Sequence, residues 1–388
     1  MNYKHLYSKS LDAIGAKLHI ASHSHHLWPD CVMAAQNQYI LDAFTWADEK
    51  WSKAVAPLES KLQTQLADLL SIDSPNQICF APNVHTLFFR LVSCFDLTAP
   101  LRILTTDSEF YSFSRQAQRL GEYEHIDITE IPTLPFASFK ERILAAIQNR
   151  RYNMIYISQV FFNSGLAVFF LGEIIEACPE ETMIVVDGYH GFGAIPTDLS
   201  LYQDRIFYLA GGYKYLQSGE GVCFMTVPRS ANQYRPLYTG WFAEFDSLDQ
   251  HERSVNYAPD ARRFLGATTD PSGLYRMHSV LNLWQEHQLS VSQIHAYVQQ
   301  LQEYFLSKVT QQGLFGLSTD ALIHVQEKSA SYGHFLTFRT PDALSIQNKL
   351  RQLDIITDSR EDRLRFGFGL YQETSDIDQL FQRIADQD

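Results

Sequence analysis

An α/β fold, with a large domain built on a mainly parallel central sheet and a smaller C-terminal α/β domain, is what this 388-residue sequence predicts. Three observations lead there. The length exceeds that at which a single core usually stops growing, so two domains are expected. Between residues 77 and 227 short apolar runs alternate with helical patterns, as strands and helices do when wound into a parallel sheet. From about residue 290 the pattern becomes one long amphipathic helix and then a short strand–helix layer.

The elements follow in chain order. Val32–Trp51 reads as a helix, and residues 1–50 are expected to pack on the core or on a partner subunit. The large domain is expected over 51–285. Its strands are Gln77–Ala81, Arg102–Thr106, Asn153–Ser158, Thr182–Asp187, Arg205–Leu209 and Val222–Val227. After Asn83, a natural N-cap, Val84, Leu87, Phe88, Leu91 and Phe95 recur at helical spacing. The small domain is expected over 286–388. Ser290 and Gln293 form a capping box, Ile294, Val298, Leu301, Phe305 and Val309 give one apolar stripe, and Gly313 stops the helix. Strand Phe335–Arg339, helix Pro341–Leu353, strands Ile355–Thr357 and Leu364–Phe368, and helix Ser375–Ala385 complete the layer.

Composition narrows the function. Hydrophobic residues at 45% and charged residues at 19% describe a well-cored globule, not a disordered chain. A net charge of -13 argues against nucleic acid as partner, because a phosphate-backbone binder needs a basic footprint. A small-molecule ligand is favoured, and an anionic one must be caught by a local site. No apolar run reaches membrane-spanning length, and the first residues lack the apolar stretch of a signal peptide. The five cysteines form no CxxC pair, so reduced thiols and a cytoplasmic location are expected.

The chemistry concentrates in two segments. IVVDGYHGFG, residues 184–193, is a buried strand ending in Asp187 and a glycine-rich turn. FYLAGGYKY, residues 207–215, is a second strand followed by Lys214. In open α/β sheets ligands bind beyond the carboxyl ends of the strands, where both residues fall. A lysine that forms a Schiff base and a carboxylate that keeps a pyridine nitrogen protonated are the pair that pyridoxal 5'-phosphate (PLP) requires. The helix start after Asn83 offers free N–H groups and a positive dipole end for the phosphate.

At these residues the sequence resembles the class V aminotransferase superfamily of fold-type I PLP enzymes, and within it the kynureninases. The resemblance runs from about residue 17 to 384 and rests on SQVFFNSG at 158–165, on Asp187-Gly-Tyr-His190 and on Tyr213-Lys214-Tyr215-Leu216. It implies that Lys214 carries PLP and shuttles protons, with Tyr213 on the phosphate and active in proton transfer. It implies Asp187 on the pyridine nitrogen, His190 beside the ring, Phe110 stacked on it, and Asn83 and Val84 at the phosphate. Trp241 and Thr268 are implied cofactor contacts at the interface of a homodimer with shared active sites. Arg365 matches the arginine that takes the α-carboxylate of an amino acid substrate, and Arg363 shares its strand face.

The sequence departs from the kynureninase pattern at three places. Phe113 stands where an acid is usual, the phosphate loop has Asn83 and Val84 in place of hydroxyl residues, and the N-terminal motif is ASHSHHLWP at 21–29. The resemblance around Tyr213–Leu216 and Tyr371 implies a kynureninase-like hydrolytic Cβ–Cγ cleavage through Lys214, with a class V aminotransferase as the alternative. Desulfurases of the superfamily use a cysteine on a C-terminal loop, and no cysteine follows Cys223. His23, His25 and His26 are expected in a substrate-facing loop near the cofactor with no metal bound, and the alternative is a metal-dependent hydrolase, since alternate imidazoles on a strand point the same way and can share a metal.

Overall fold

The computed structural model describes residues 2–247, 254–329 and 331–387. Seven strands form the large sheet: β1 (Ile78–Ala81), β2 (Leu101–Thr106), β3 (Ile126–Ile131), β4 (Met154–Ser158), β5 (Met183–Asp187), β6 (Ile206–Gly211) and β7 (Cys223–Thr226). Their order is β1-β7-β6-β5-β4-β2-β3, and β7 alone runs against its neighbours. The α/β class with a mainly parallel sheet is therefore as the sequence predicts.

Every residue of β4, β5, β6 and β7 is buried. Ile184 and Val186 of β5 join one core, while Met183 and Val185 join the core on the opposite face. A sheet covered on both faces needs apolar side chains in both directions, which is why these strands read as continuous apolar runs. The edge strand β3 was not among the expected strands. Its sequence, IDITEI, is mostly half-buried and offers no such run.

The helix Val84–Val92 starts at the predicted cap, where the Asn83 carboxamide oxygen accepts the Thr86 N–H at 2.8 Å. The expected Val32–Trp51 helix is shorter. It spans Cys31–Trp46 and stops where Ala47 takes a φ of 47°. It lies along helix Ser272–Glu286, with Tyr275 donating to Asp42 at 2.9 Å. Helix Val291–Gln312 carries the predicted capping box and ends at Gly313, φ 75°.

A second sheet, ordered Asp358–Arg360, Arg363–Gly367, Phe335–Arg339 and antiparallel throughout, packs on its own core around Leu336, Phe338, Phe366 and the helix residues Val298 and Phe305. Strand Asp358–Arg360 is too short and polar to stand out in the sequence. The N-terminal segment is sewn onto this layer. Leu18–His19 pairs in parallel with Ile355–Ile356, and Ala21 bridges to Gly367.

That seam requires a glycine. A Cβ on Gly367 would lie 2.3 Å from His23 Nδ1 and 2.8 Å from the His23 backbone nitrogen. Gly367→Ala is expected to destabilise the protein by about 1–3 kcal/mol, the usual range for overpacking. A thermal melt measures it, and an unchanged midpoint would show that the seam yields freely. Among the described residues no helix is long and apolar enough to cross a membrane.

Candidate active site

The carboxyl ends of the large sheet open into a cavity of about 290 Å³, closed on one side by the small layer. Asn83, Val84, Phe110, Asp187, His190, Tyr213, Lys214 and Arg365 all line it. Residues spread over nearly 300 positions of sequence thus meet because each follows a strand end or faces one.

Lys214 lies three residues beyond β6, past Gly211 and Gly212. A Cβ on Gly212 would sit 2.0 Å from Ser218 Oγ, so this turn closes only with glycine. The lysine is partly exposed, and its Nζ donates to the His23 carbonyl at 2.6 Å. Burial, then the Arg365 charge, bring its amine down to about 7. A large part of Lys214 is therefore neutral, and nucleophilic, near neutral pH.

Asp187 ends β5 with its carboxylate buried. It accepts from the Tyr156 hydroxyl at 2.7 Å and from the Tyr189 N–H at 2.9 Å. Burial pushes its carboxyl up despite those bonds and the Lys214 charge. A protonated ring nitrogen is the kind of partner that favours the ionised form of such a carboxylate. His190 is buried beside it, and burial, reinforced by the Lys214 charge, keeps its imidazole neutral. Phe113, where an acid was the pattern, packs face to face on Tyr156 at 3.8 Å. The position is an apolar floor that steadies the Asp187 partner.

At the far end the first turn of helix Val84–Val92 presents N–H groups without intrahelical acceptors. The Asn83 side chain is spent on its own cap, so its contribution is to shape the turn. His85, Ser112 and Gln116 also line this end, with Gln116 Nε2 2.8 Å from His85 Nδ1. The N–H groups and polar side chains at this end suit a phosphate, and the buried Asp187 carboxylate suits a protonated ring nitrogen, so the residues fit PLP.

Phe110 stands half-open at the mouth, edge-on to Phe162 at 5.3 Å. Tyr213 bonds His25 Nδ1 at 3.1 Å through its hydroxyl. Arg365 is 4% exposed and reaches the Phe162 carbonyl and the Asp358 carboxylate. Arg363, on the same strand, turns to Asp362 and does not line the cavity. Trp241 and Thr268 lie outside this cavity, both exposed on the surface of the chain.

The three histidines diverge. Residues 21–25 form a turn in place of a strand, so the rings lose the alternation that a shared metal requires. His23 stacks on Phe335, His25 meets Tyr213, and His26 bonds the Leu27 carbonyl. Among the described residues no cluster of histidine, cysteine and acid side chains could hold a metal.

Two acids escaped the sequence reading. Glu109 is buried with Thr106 Oγ1 at 2.7 Å and the Ser158 N–H at 3.2 Å, and burial takes its carboxyl up to about 8. Its signal was an acid immediately before Phe110 at the end of β2. Asp358 left no signal, because only strand pairing places it opposite Arg365.

The model of the family described as aminotransferase class-V matches residues 26–380. Among solved structures, the cystine C–S lyase C-DES in complex with cysteine persulfide superposes with a TM-score of 0.80 at 18% identity, covering 97% of this chain and 99% of that one. A variant of C-DES with glycine covalently linked to its PLP cofactor gives 0.82 at 19% identity, over 97% and 98%. A cysteine desulfurase from Thermococcus onnurineus NA1 gives 0.77 at 15% identity, over 98% and 97%. At these identities the likeness concerns the fold. No curated protein matches the sequence significantly.

Proposed function

We propose that this chain, which belongs to the class V aminotransferase family, is a PLP-dependent enzyme that acts at the Cα of an amino acid and cleaves its Cβ–Cγ bond in the manner of kynureninases. The observation that carries the cofactor and the substrate class is one pocket holding Lys214, Asp187 and the buried Arg365. Bound there, PLP supplies an electron sink for the pair released at Cα.

The chain's own groups divide the work. Arg365 takes the α-carboxylate and orients Cα toward Lys214. Lys214 Nζ, kept partly neutral, removes the α-proton and returns it. Asp187 holds positive charge at the ring nitrogen, and His190 stays neutral beside the ring. Tyr213, bonded to His25, is the proton donor and acceptor for the oxygen on Cγ when water adds there. The aromatic side chains Phe110 and Phe162, which line the cavity, suit an aryl side chain.

Transamination is the second reading, supported by the family description and by Lys214, Asp187 and Arg365, which it also needs. Desulfuration onto a protein thiol is less supported, since no cysteine follows Cys223, whereas a β-elimination of the C–S lyase kind needs no such thiol and is open to the same Lys214, Asp187 and Arg365. One assay separates them. Holoenzyme is given kynurenine and 3-hydroxykynurenine with and without a 2-oxo acid. Anthranilate-type product without the oxo acid is expected, and turnover that strictly needs the oxo acid replaces the hydrolase by the aminotransferase. Arg365→Lys is expected to raise KM about tenfold, because an ammonium lacks the two-pronged fork. An unchanged KM removes Arg365 from the site.

Leu237, Tyr238, Trp241 and Phe245 are exposed apolar side chains, Trp241 and Phe245 lying 5.5 Å apart ring to ring, and a second copy of the chain would cover them. In that homodimer Trp241 and Thr268 complete the partner's cofactor site. Light scattering at the mass of two chains is expected, and a fully active monomer would remove both residues from the reaction.

A further inference from the structure

The histidine turn takes little part in the chemistry above, yet through Asp358 it reaches the substrate arginine. Asp358 and Arg365 are direct cross-strand partners on Asp358–Arg360 and Arg363–Gly367. Asp358 Oδ2 bonds one terminal nitrogen of the Arg365 guanidinium, and the other terminal nitrogen donates to the Phe162 carbonyl. Arg365 Nε is buried without a hydrogen bond, and so is His23 Nδ1. His23 is fully buried, stacked on Phe335 at 4.7 Å, with Nε2 3.6 Å from the same Asp358 oxygen. Although burial pushes the Asp358 carboxyl up, His23 and the Arg365 charge hold it well below the usual carboxylate range. A carboxylate thus already sits on the guanidinium that a substrate must engage.

We propose that Asp358 is a specificity-determining residue: an internal carboxylate that occupies Arg365 in the free enzyme and is exchanged for the α-carboxylate of an arriving amino acid. This rests on the assignment of Arg365 to the substrate. A buried guanidinium left unpaired is costly, so the free enzyme gains by carrying its own counter-charge. On exchange Asp358 keeps two neighbours, His23 Nε2 at 3.6 Å and Arg360 Nε at 3.9 Å. Affinity for an amino acid is then the difference between two carboxylates competing for one arginine. An amine without a carboxylate leaves Asp358 in place.

The test is ligand binding to the PLP-loaded protein, read from the absorbance of the bound cofactor, with L-alanine and methylamine as probes. Asp358→Asn leaves a neutral, weaker competitor, and it is expected to lower the Kd of L-alanine on the order of fivefold while the methylamine Kd holds. Asp358→Ser serves if the asparagine variant does not fold. An L-alanine Kd that rises or stays level in the variant overturns the proposal, because Asp358 then merely supports Arg365. Arg365→Lys distinguishes the premise. If it leaves the L-alanine Kd unchanged, the carboxylate assignment fails and this inference fails with it. If it weakens L-alanine while Asp358→Asn does not tighten it, the exchange alone is wrong.

Discussion

Lys214→Ala is expected to lower turnover of any amino acid substrate by about 10⁴-fold or more, because it removes the covalent tether and the α-proton shuttle together. The absorbance band of the bound cofactor that survives dialysis in the unaltered protein should vanish as well. A variant that keeps both the band and measurable turnover would overturn the central assignment. The amine's position near 7 adds a pH signature. Only the neutral amine attacks, so cofactor capture by the apo-protein should quicken as pH rises through about 7 and then level off. After burial, the Arg365 guanidinium does most to lower that amine. Replacing it by methionine should move the midpoint upward, and a midpoint that stays in place would mean that burial alone sets it.

Asp187→Ala is expected to leave cofactor capture largely intact and to reduce kcat by about 10²–10³-fold, the scale on which one aimed electrostatic group usually acts. The carboxylate is buried and held by Tyr156 and the Tyr189 N–H, so it is preorganised and needs no rearrangement to meet a cationic ring nitrogen. Asp187→Asn retains the shape and separates charge from packing. If the asparagine variant matches the original kcat, the charge is not what the site uses.

Much of this was legible in the sequence because it is local. The seam of Asn83 with its helix, the capping box at Ser290 and Gln293, and the strands that end at Ser158 and Asp187 depend on neighbours within a few residues. The edge strand β3 and the short strand Asp358–Arg360 were not legible, because their half-polar residues carry no burial pattern and only pairing makes them strands. The metal alternative for the histidine run fails for the same reason. Its ligand-like spacing assumed a strand, whereas hydrogen bonds to Ala21 bend it into a turn that sends each ring to a different wall.

By itself, then, the sequence determined an α/β chain with apolar strands closing on Asp187 and Lys214, since side-chain period and turn chemistry are written locally. Only the tertiary structure decided that Arg365, and not Arg363, faces the lysine, that Asp358 already lies on it, and that His23 lends its carbonyl to Nζ. Those contacts join residues as far apart as 23, 214 and 365. Their distances are set by how two sheets and an N-terminal seam pack together, which no single segment encodes.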